Sequence, residues 1–270
     1  MSDAYVHGYS GAEAVRLGRQ AAILADFIHG SVAFTAGARV LEAGCGTGAQ
    51  TVQLAERHPH ANIVAIDQSQ TSILTAADRV APRRNVTFHV ADIHALPFED
   101  EHFDSAFVCF VLEHLVDREA ALRELLRVLK PGATLYVFEG DHGSVMAAPH
   151  DPAIARLVCA ASQLQISRGG DPYIGRSLCP VLLSAGFINV SIEPCVAYAD
   201  AMRPAWIDSF TRATFSDMMA GQREAVLASG LLSEERWREG MDALERTTQR
   251  DGTFCYTFFR ATASAPMTYR

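Results

Sequence analysis

From residue 38 onward the chain alternates short apolar runs with amphipathic stretches, the pattern of βαβ units around a parallel sheet. Strands are expected over 38–43, 62–67, 86–91, 104–109 and 134–138. Asp117 should cap a helix whose apolar face is Leu122, Leu125, Leu126 and Leu129, with "KPG" (Lys130 to Gly132) ending it. Ahead of the first strand, Ser10 and Glu13 form a capping-box pattern. Leu17, Ala21, Leu24 and Ile28 then share one face of a helix over 11–29. Beyond Gly140 the pattern predicts helices over 152–167 and 173–185, a strand over 188–198, helical structure over 203–249 and a closing strand over 253–263. Phe254, Tyr256 and Phe258 share one side of that last strand. The fold class is therefore α/β, a Rossmann-like doubly wound sheet. It divides into an N-terminal helical extension (1–30), a core (31–199), a helical lid insertion (200–250) and a closing strand with tail (251–270).

In such sheets ligands bind beyond the carboxyl ends of the strands. Four strand ends carry chemistry. "VLEAGCGTGAQ" ends the first strand, Asp67 the second, "ADI" (Ala91 to Ile93) the third, and "VCFVLEH" (Val108 to His114) leaves the fourth. Gly44, Gly46 and Ala49 satisfy G-x-G-x-x-A, and Asp67 follows Gly48 at a spacing suited to ribose hydroxyls. That much fits a dinucleotide fingerprint. Glu42 shifts the balance, because a carboxylate there repels a pyrophosphate and attracts an amino group. Asp92 adds an acceptor for an adenine amino group. Adenine, ribose and a cationic amino-acid tail together describe S-adenosylmethionine. An NAD(P)-dependent oxidoreductase and a non-catalytic regulatory protein that binds S-adenosylmethionine are the alternatives.

The formal charge of −8 disfavours a nucleic-acid partner, which needs a basic face. The longest apolar run, Ala106 to Leu112, is too short to span a bilayer, and the start lacks an export signal. The six cysteines are widely spaced with no C-x-x-C pair, which suits reduced thiols in the cytoplasm and no metal site. A small molecule is thus the expected partner, and a homo-oligomer is compatible with the chain.

"VLEAGCGTG", "AID", "ADIHALPFEDEHFD", "FVLEHL" and "LRVLKPGATLYVFE" resemble, in order and spacing, the motifs of class I SAM-dependent methyltransferases. The closest likeness is to the small-molecule group typified by the ubiquinone/menaquinone-biosynthesis enzymes. It covers residues 39–138 and implies seven strands, the last antiparallel. The resemblance places Gly44, Cys45 and Gly46 around the methionine part, Asp67 and Gln68 at the ribose, and Asp92 and Ile93 at the adenine. Cys109 and Phe110 would lie under the cofactor. "YVHGYS" resembles an extension in which Tyr9, with Arg16, touches the methionine carboxylate.

Methyl transfer is an in-line displacement, in which the enzyme mainly supplies alignment. A base is required only where the acceptor loses a proton. His142 in "EGDHGS", just past the fifth strand, is the candidate, with Glu139 beside it. Asp141, Tyr173, Arg176, Tyr198 and Trp206 are candidate acceptor contacts. Arg203 is a further one, and an aromatic-rich lid suits a ring-bearing acceptor.

Overall fold

The computed structural model describes residues 11–81 and 83–267. The chain divides into two compact units. One holds the first helix together with Gly140–Ile174 and Pro194–Phe258; the other holds Ala25–Glu139, Gly175–Glu193 and the chain from Phe259.

The second unit contains the first four strands whole, and the strands that follow are divided between the two units. Strand β1 (Arg39–Ala43) lies between β2 (Asn62–Asp67) and β4 (Phe103–Cys109), with β3 (Val86–Val90) outside β2. β5 (Leu129–Ala148), β6 (Ile188–Asp200) and β7 (Thr253–Ser264) complete the order β3-β2-β1-β4-β5-β7-β6. The last strand runs antiparallel to the rest. Helices α3 (Ala49–Arg57), α4 (Gln70–Val80) and α5 (Arg118–Val128) follow β1, β2 and β4, as right-handed crossovers require. Val40, Leu41, Ile63, Ile66, Phe103 and Phe107 are almost wholly buried in the sheet. Leu122 and Leu125 cover it from α5, whose first turn Asp117 caps by accepting from the Ala120 N–H at 2.8 Å.

Two local expectations are corrected. "KPG" does not terminate α5 as a separate turn. The helix ends at Val128, and Lys130 to Ala133 bulge out of β5, where the register jumps from Phe103↔Leu129 to Ser105↔Thr134. Gly132, at φ 75°, makes that bulge feasible. In addition, β5 does not stop at Phe138 but continues to Ala148, so "EGDHGS" is strand and not loop. Gly140 lies inside this strand. It is glycine because the Tyr256 hydroxyl stands 2.4 Å from where a Cβ would be.

In the first unit, α1 (Gly11–Ile23) ends one residue before the buried Leu24, and α2 (Ala25–His29) belongs to the other unit, so the single expected helix is broken. Ser10, its expected cap, lies outside the described residues. α6 (Pro152–Ser167) matches its expected span, and α7 (Ile174–Ser184) falls within its own. Between β6 and β7 come α8 (Pro204–Trp206), a π-helix (Ile207–Ser216), α9 (Asp217–Gly221), α10 (Arg223–Ala228) and α11 (Glu234–Arg246). The Thr214 and Ser216 hydroxyls donate to carbonyls five residues back, Ser209 and Thr211, which fits the wider π turn. Trp237 and Leu244 are buried on one face of α11, as their spacing predicts. Among the described residues no helix is long and apolar enough to cross a membrane.

Candidate active site

The glycines of the first loop serve three different purposes. At Gly44 (φ 77°) a Cβ would fall 2.4 Å from Val111 Cγ2, so this glycine admits the loop that leaves β4. At Gly48 (φ 79°), the residue before α3, it would fall 2.9 Å from the Ala76 Cβ, so this one admits α4. Both enforce packing. Only at Gly46 (φ 52°) would a Cβ meet no described atom within 4 Å, the open side a close-lying ligand needs. The turn is held to β2 by the Gly44 and Cys45 N–H groups, which donate to the Ile66 carbonyl at 2.9 and 2.8 Å.

Asp67 ends β2 and stiffens the same turn. Its Oδ2 accepts from the Gly46 N–H and its Oδ1 from the Ser69 N–H, both at 2.9 Å. Burial raises the Asp67 carboxyl, and the two donors offset part of that. Each oxygen retains a lone pair, enough to accept two hydroxyls of a diol. Gln68, next in sequence, is exposed.

Glu42 is the most unusual group in the unit. It is 2% exposed, and its Oε2 has no hydrogen-bond partner among the described residues. Burial, with the Asp67 charge adding to it, pushes its carboxyl up to about 8. The Thr51 hydroxyl nearby offsets only part of this and stands outside hydrogen-bond geometry. A cation beside Glu42 favours the ionised form, so binding one should release a proton below a pH of about 8. Proton and cation then compete, and affinity for S-adenosylmethionine should rise with pH up to that value. Calorimetry in two buffers of different ionisation enthalpy reads the proton directly, and Glu42→Gln should flatten the dependence. Equal affinity on both sides of that pH in the wild type would remove Glu42 from the cation's surroundings.

The third and fourth strand ends complete the unit's loops. Asp92 is exposed, and its Oδ1 accepts from the His94 N–H at 2.9 Å. Those hydrogen bonds from His94 hold its carboxyl below the usual range. Ile93 beside it is buried. Cys109 is half-buried, and burial together with Glu139 and Glu42 drives its thiol up, which disfavours the thiolate form. Phe110 takes φ 56°, a left-handed conformation that costs a bulky residue about 1–3 kcal/mol. Its N–H donates to the Phe138 carbonyl at 2.9 Å, and its ring meets Phe138 edge-on at 5.6 Å. The next two N–H groups, Val111 and Leu112, donate to Glu139 Oε1 at 2.9 and 2.8 Å. Glu139 is wholly buried, and burial with the Glu113 charge raises its carboxyl well above the usual range. Through Oε1 it pins the loop after β4.

The described loops match known proteins at the same place. Residues 41–137 match the family model described as "Methyltransferase domain". Over that segment, about a third of its length, the chain is similar to methyltransferase domains. An uncharacterised 37.1 kDa protein of transposon TN4556 from Streptomyces fradiae is 32% identical over 77% of this chain and 58% of its own length. The ubiquinone/menaquinone biosynthesis C-methyltransferase UbiE of Geobacter sulfurreducens is 35% identical over 40% of this chain and 44% of its own. The chain thus spans about half the length of these curated relatives. The solved structure of the [4+2]-cyclase SpnF shares the fold, with a TM-score of 0.58 at 24% identity over 91% of this chain and 81% of that one.

Outside the methyltransferase domain's matched segment, the first unit holds the other expected residues. His142 lies within β5 and not beyond it, 6% exposed. Its N–H donates to the Pro172 carbonyl at 2.9 Å, and its Nδ1 is hydrogen-bonded to the Tyr256 hydroxyl at 2.8 Å. Phe215 and Phe258 pack against that tyrosine in tilted geometry at 5.6 and 4.7 Å, and Phe210 and Phe254 extend the cluster. Asp141 is buried, and its Oδ1 accepts from the Gly143 N–H. Tyr173 is half-buried; Tyr198 is exposed under the Arg203 guanidinium, 5.7 Å from its ring centre; Trp206 packs on Phe210. Arg16 is buried and donates to Gln20 Oε1 at 3.0 Å. Tyr9 lies outside the described residues. Arg176, exposed, belongs to the second unit, so the expected acceptor contacts do not fall in one unit.

Tyr256 is the residue that sequence reasoning passed over. The signal was present, since a tyrosine on the buried side of a strand needs a partner for its hydroxyl. The partner, 114 positions earlier in the chain, was not readable.

Proposed function

We propose that the chain transfers the methyl group of S-adenosylmethionine to a small acceptor, an aromatic or heteroaromatic natural-product intermediate. The observation that carries the reading is Glu42, a buried acid with an orphan oxygen at the glycine turn, where a dinucleotide would place phosphate. Gly46 would lie along the methionine part, Asp67 and Gln68 at the ribose hydroxyls, Asp92 and Ile93 at the adenine, and Cys109 and Phe110 beneath it. Bound S-adenosylmethionine supplies an electrophilic methyl on a sulfonium. The chain's own residues orient it and hold the acceptor. His142 takes a proton from acceptors that must lose one, with Tyr256 fixing the ring. The names of the relatives, a quinone C-methyltransferase among them, support a small acceptor. The segment 200–250 is assigned as the part that shapes acceptor choice, and 1–30 as a cap.

Thermal shift against S-adenosylhomocysteine and against NAD(H) tests the cofactor. Stabilisation by the first alone is expected, by RT ln(1 + [L]/Kd). Stabilisation by NAD(H) alone would replace the reading with a dehydrogenase. Release of S-adenosylhomocysteine with a panel of phenols and heteroaromatics tests the transfer. Binding without transfer to any acceptor would turn the reading towards a chain that uses this fold otherwise, as the cyclase SpnF does.

A further inference from the structure

We propose that His94 is a positioning residue for adenine recognition, clamping the Asp92 carboxylate and tying the loop after β3 to the start of α5. The proposal rests on the reading of Asp92 as the adenine partner. Asp92 Oδ1 accepts from the His94 backbone N–H at 2.9 Å and lies 2.8 Å from His94 Nδ1. On the far side of the ring, Nε2 stands 3.1 Å from the Asp117 carbonyl oxygen. Asp117 is itself fixed, because its carboxylate caps α5. The loop is closed locally as well, by the Ala95 N–H donating to the Asp92 carbonyl at 3.1 Å. Both partners are acceptors, so the imidazole ties together two independently positioned elements when each ring nitrogen carries a proton.

The clamp has a chemical purpose. A carboxylate accepts and never donates. With Oδ1 taken twice by His94, the plane of the group is fixed and Oδ2 is left to face a base edge. An adenine amino group donates to it, whereas the oxygen of hypoxanthine at the same position repels it. An unclamped Asp92 side chain would turn among its rotamers, weakening the bond to adenine and relaxing the penalty against hypoxanthine. Asp92 and His94 side chains are 60% and 33% exposed, so solvent screening limits the effect. A change of about three- to tenfold in preference is expected, not the hundreds that a buried pair would give.

The test measures calorimetric affinity for S-adenosylhomocysteine and S-inosylhomocysteine. The wild type should prefer the adenosyl ligand, and Asp92→Ala should lose most of that preference. His94→Ala should reduce it by about three- to tenfold. His94→Asn, which keeps an N–H donor within reach of Oδ1, should restore much of it. If His94→Ala keeps the full wild-type preference, or loses affinity for both ligands equally, the clamp is refuted while the Asp92 reading stands. A wild type with no preference refutes the Asp92 reading itself, and the clamp with it.

Discussion

Asp67→Ala is expected to weaken S-adenosylhomocysteine by about 2–4 kcal/mol, about thirty- to a thousandfold in Kd. Two losses combine in that figure. The ribose hydroxyls lose a charged acceptor, and the Gly46 and Ser69 N–H groups lose the carboxylate that holds the turn in shape. Asp67→Asn separates them in part, since it retains one acceptor oxygen but turns an amide donor towards one of those N–H groups. Calorimetry on both variants, with the melting temperature of the ligand-free protein alongside, gives the division. Unchanged affinity in the alanine variant would remove Asp67 from the binding site.

His142→Ala should lower kcat by roughly 10²–10⁴ where chemistry limits the rate, with cofactor affinity nearly intact. The side chain is buried, and its Nδ1 is held at 2.8 Å by the Tyr256 hydroxyl. An imidazole so held has one fixed orientation, which is what a base needs. His142→Asn keeps a polar group without the ability to take the proton. Tyr256→Phe keeps the ring that packs on Phe215 and Phe258 and removes only the hydroxyl, so a smaller fall is expected from it. Near-wild-type kcat in both His142 variants would mean that transfer requires alignment alone.

The sequence was most informative where local pattern and global fold agree. The second strand is bounded as expected, because the apolar run Ile63 to Ile66 is flanked by the polar Asn62 and Asp67, and the Asp117 cap follows from its spacing to the apolar face of α5. It was least informative where a residue type answers to a distant partner. Gly140 and Gly143 read as a loop, yet Gly140 stands in a strand to clear Tyr256. Three glycines looked alike in "GCGTG", but what presses on each is Val111, nothing described, and Ala76 in turn. Glu42 was legible as an acid in the right place, while its burial, which sets its protonation, was not. The helices between β6 and β7 were legible as helical, but the π segment was not, since its five-residue backbone spacing leaves no sequence mark beyond two hydroxyls that bond backwards over five residues.

The contact between Gly44 and Val111 has a consequence for how such a chain can change over generations. The two residues sit in loops 67 positions apart, yet the methyl groups of one fill the space where the other would carry a side chain. Position 44 cannot gain a side chain while position 111 keeps its valine. A side chain at 44 requires both a left-handed backbone and a smaller residue at 111, so a lineage would have to cross an unstable intermediate to reach it. The loop after β4 is further fixed through its two N–H groups on Glu139. The space that Gly44 leaves is thus filled from a loop that Glu139 anchors by its backbone.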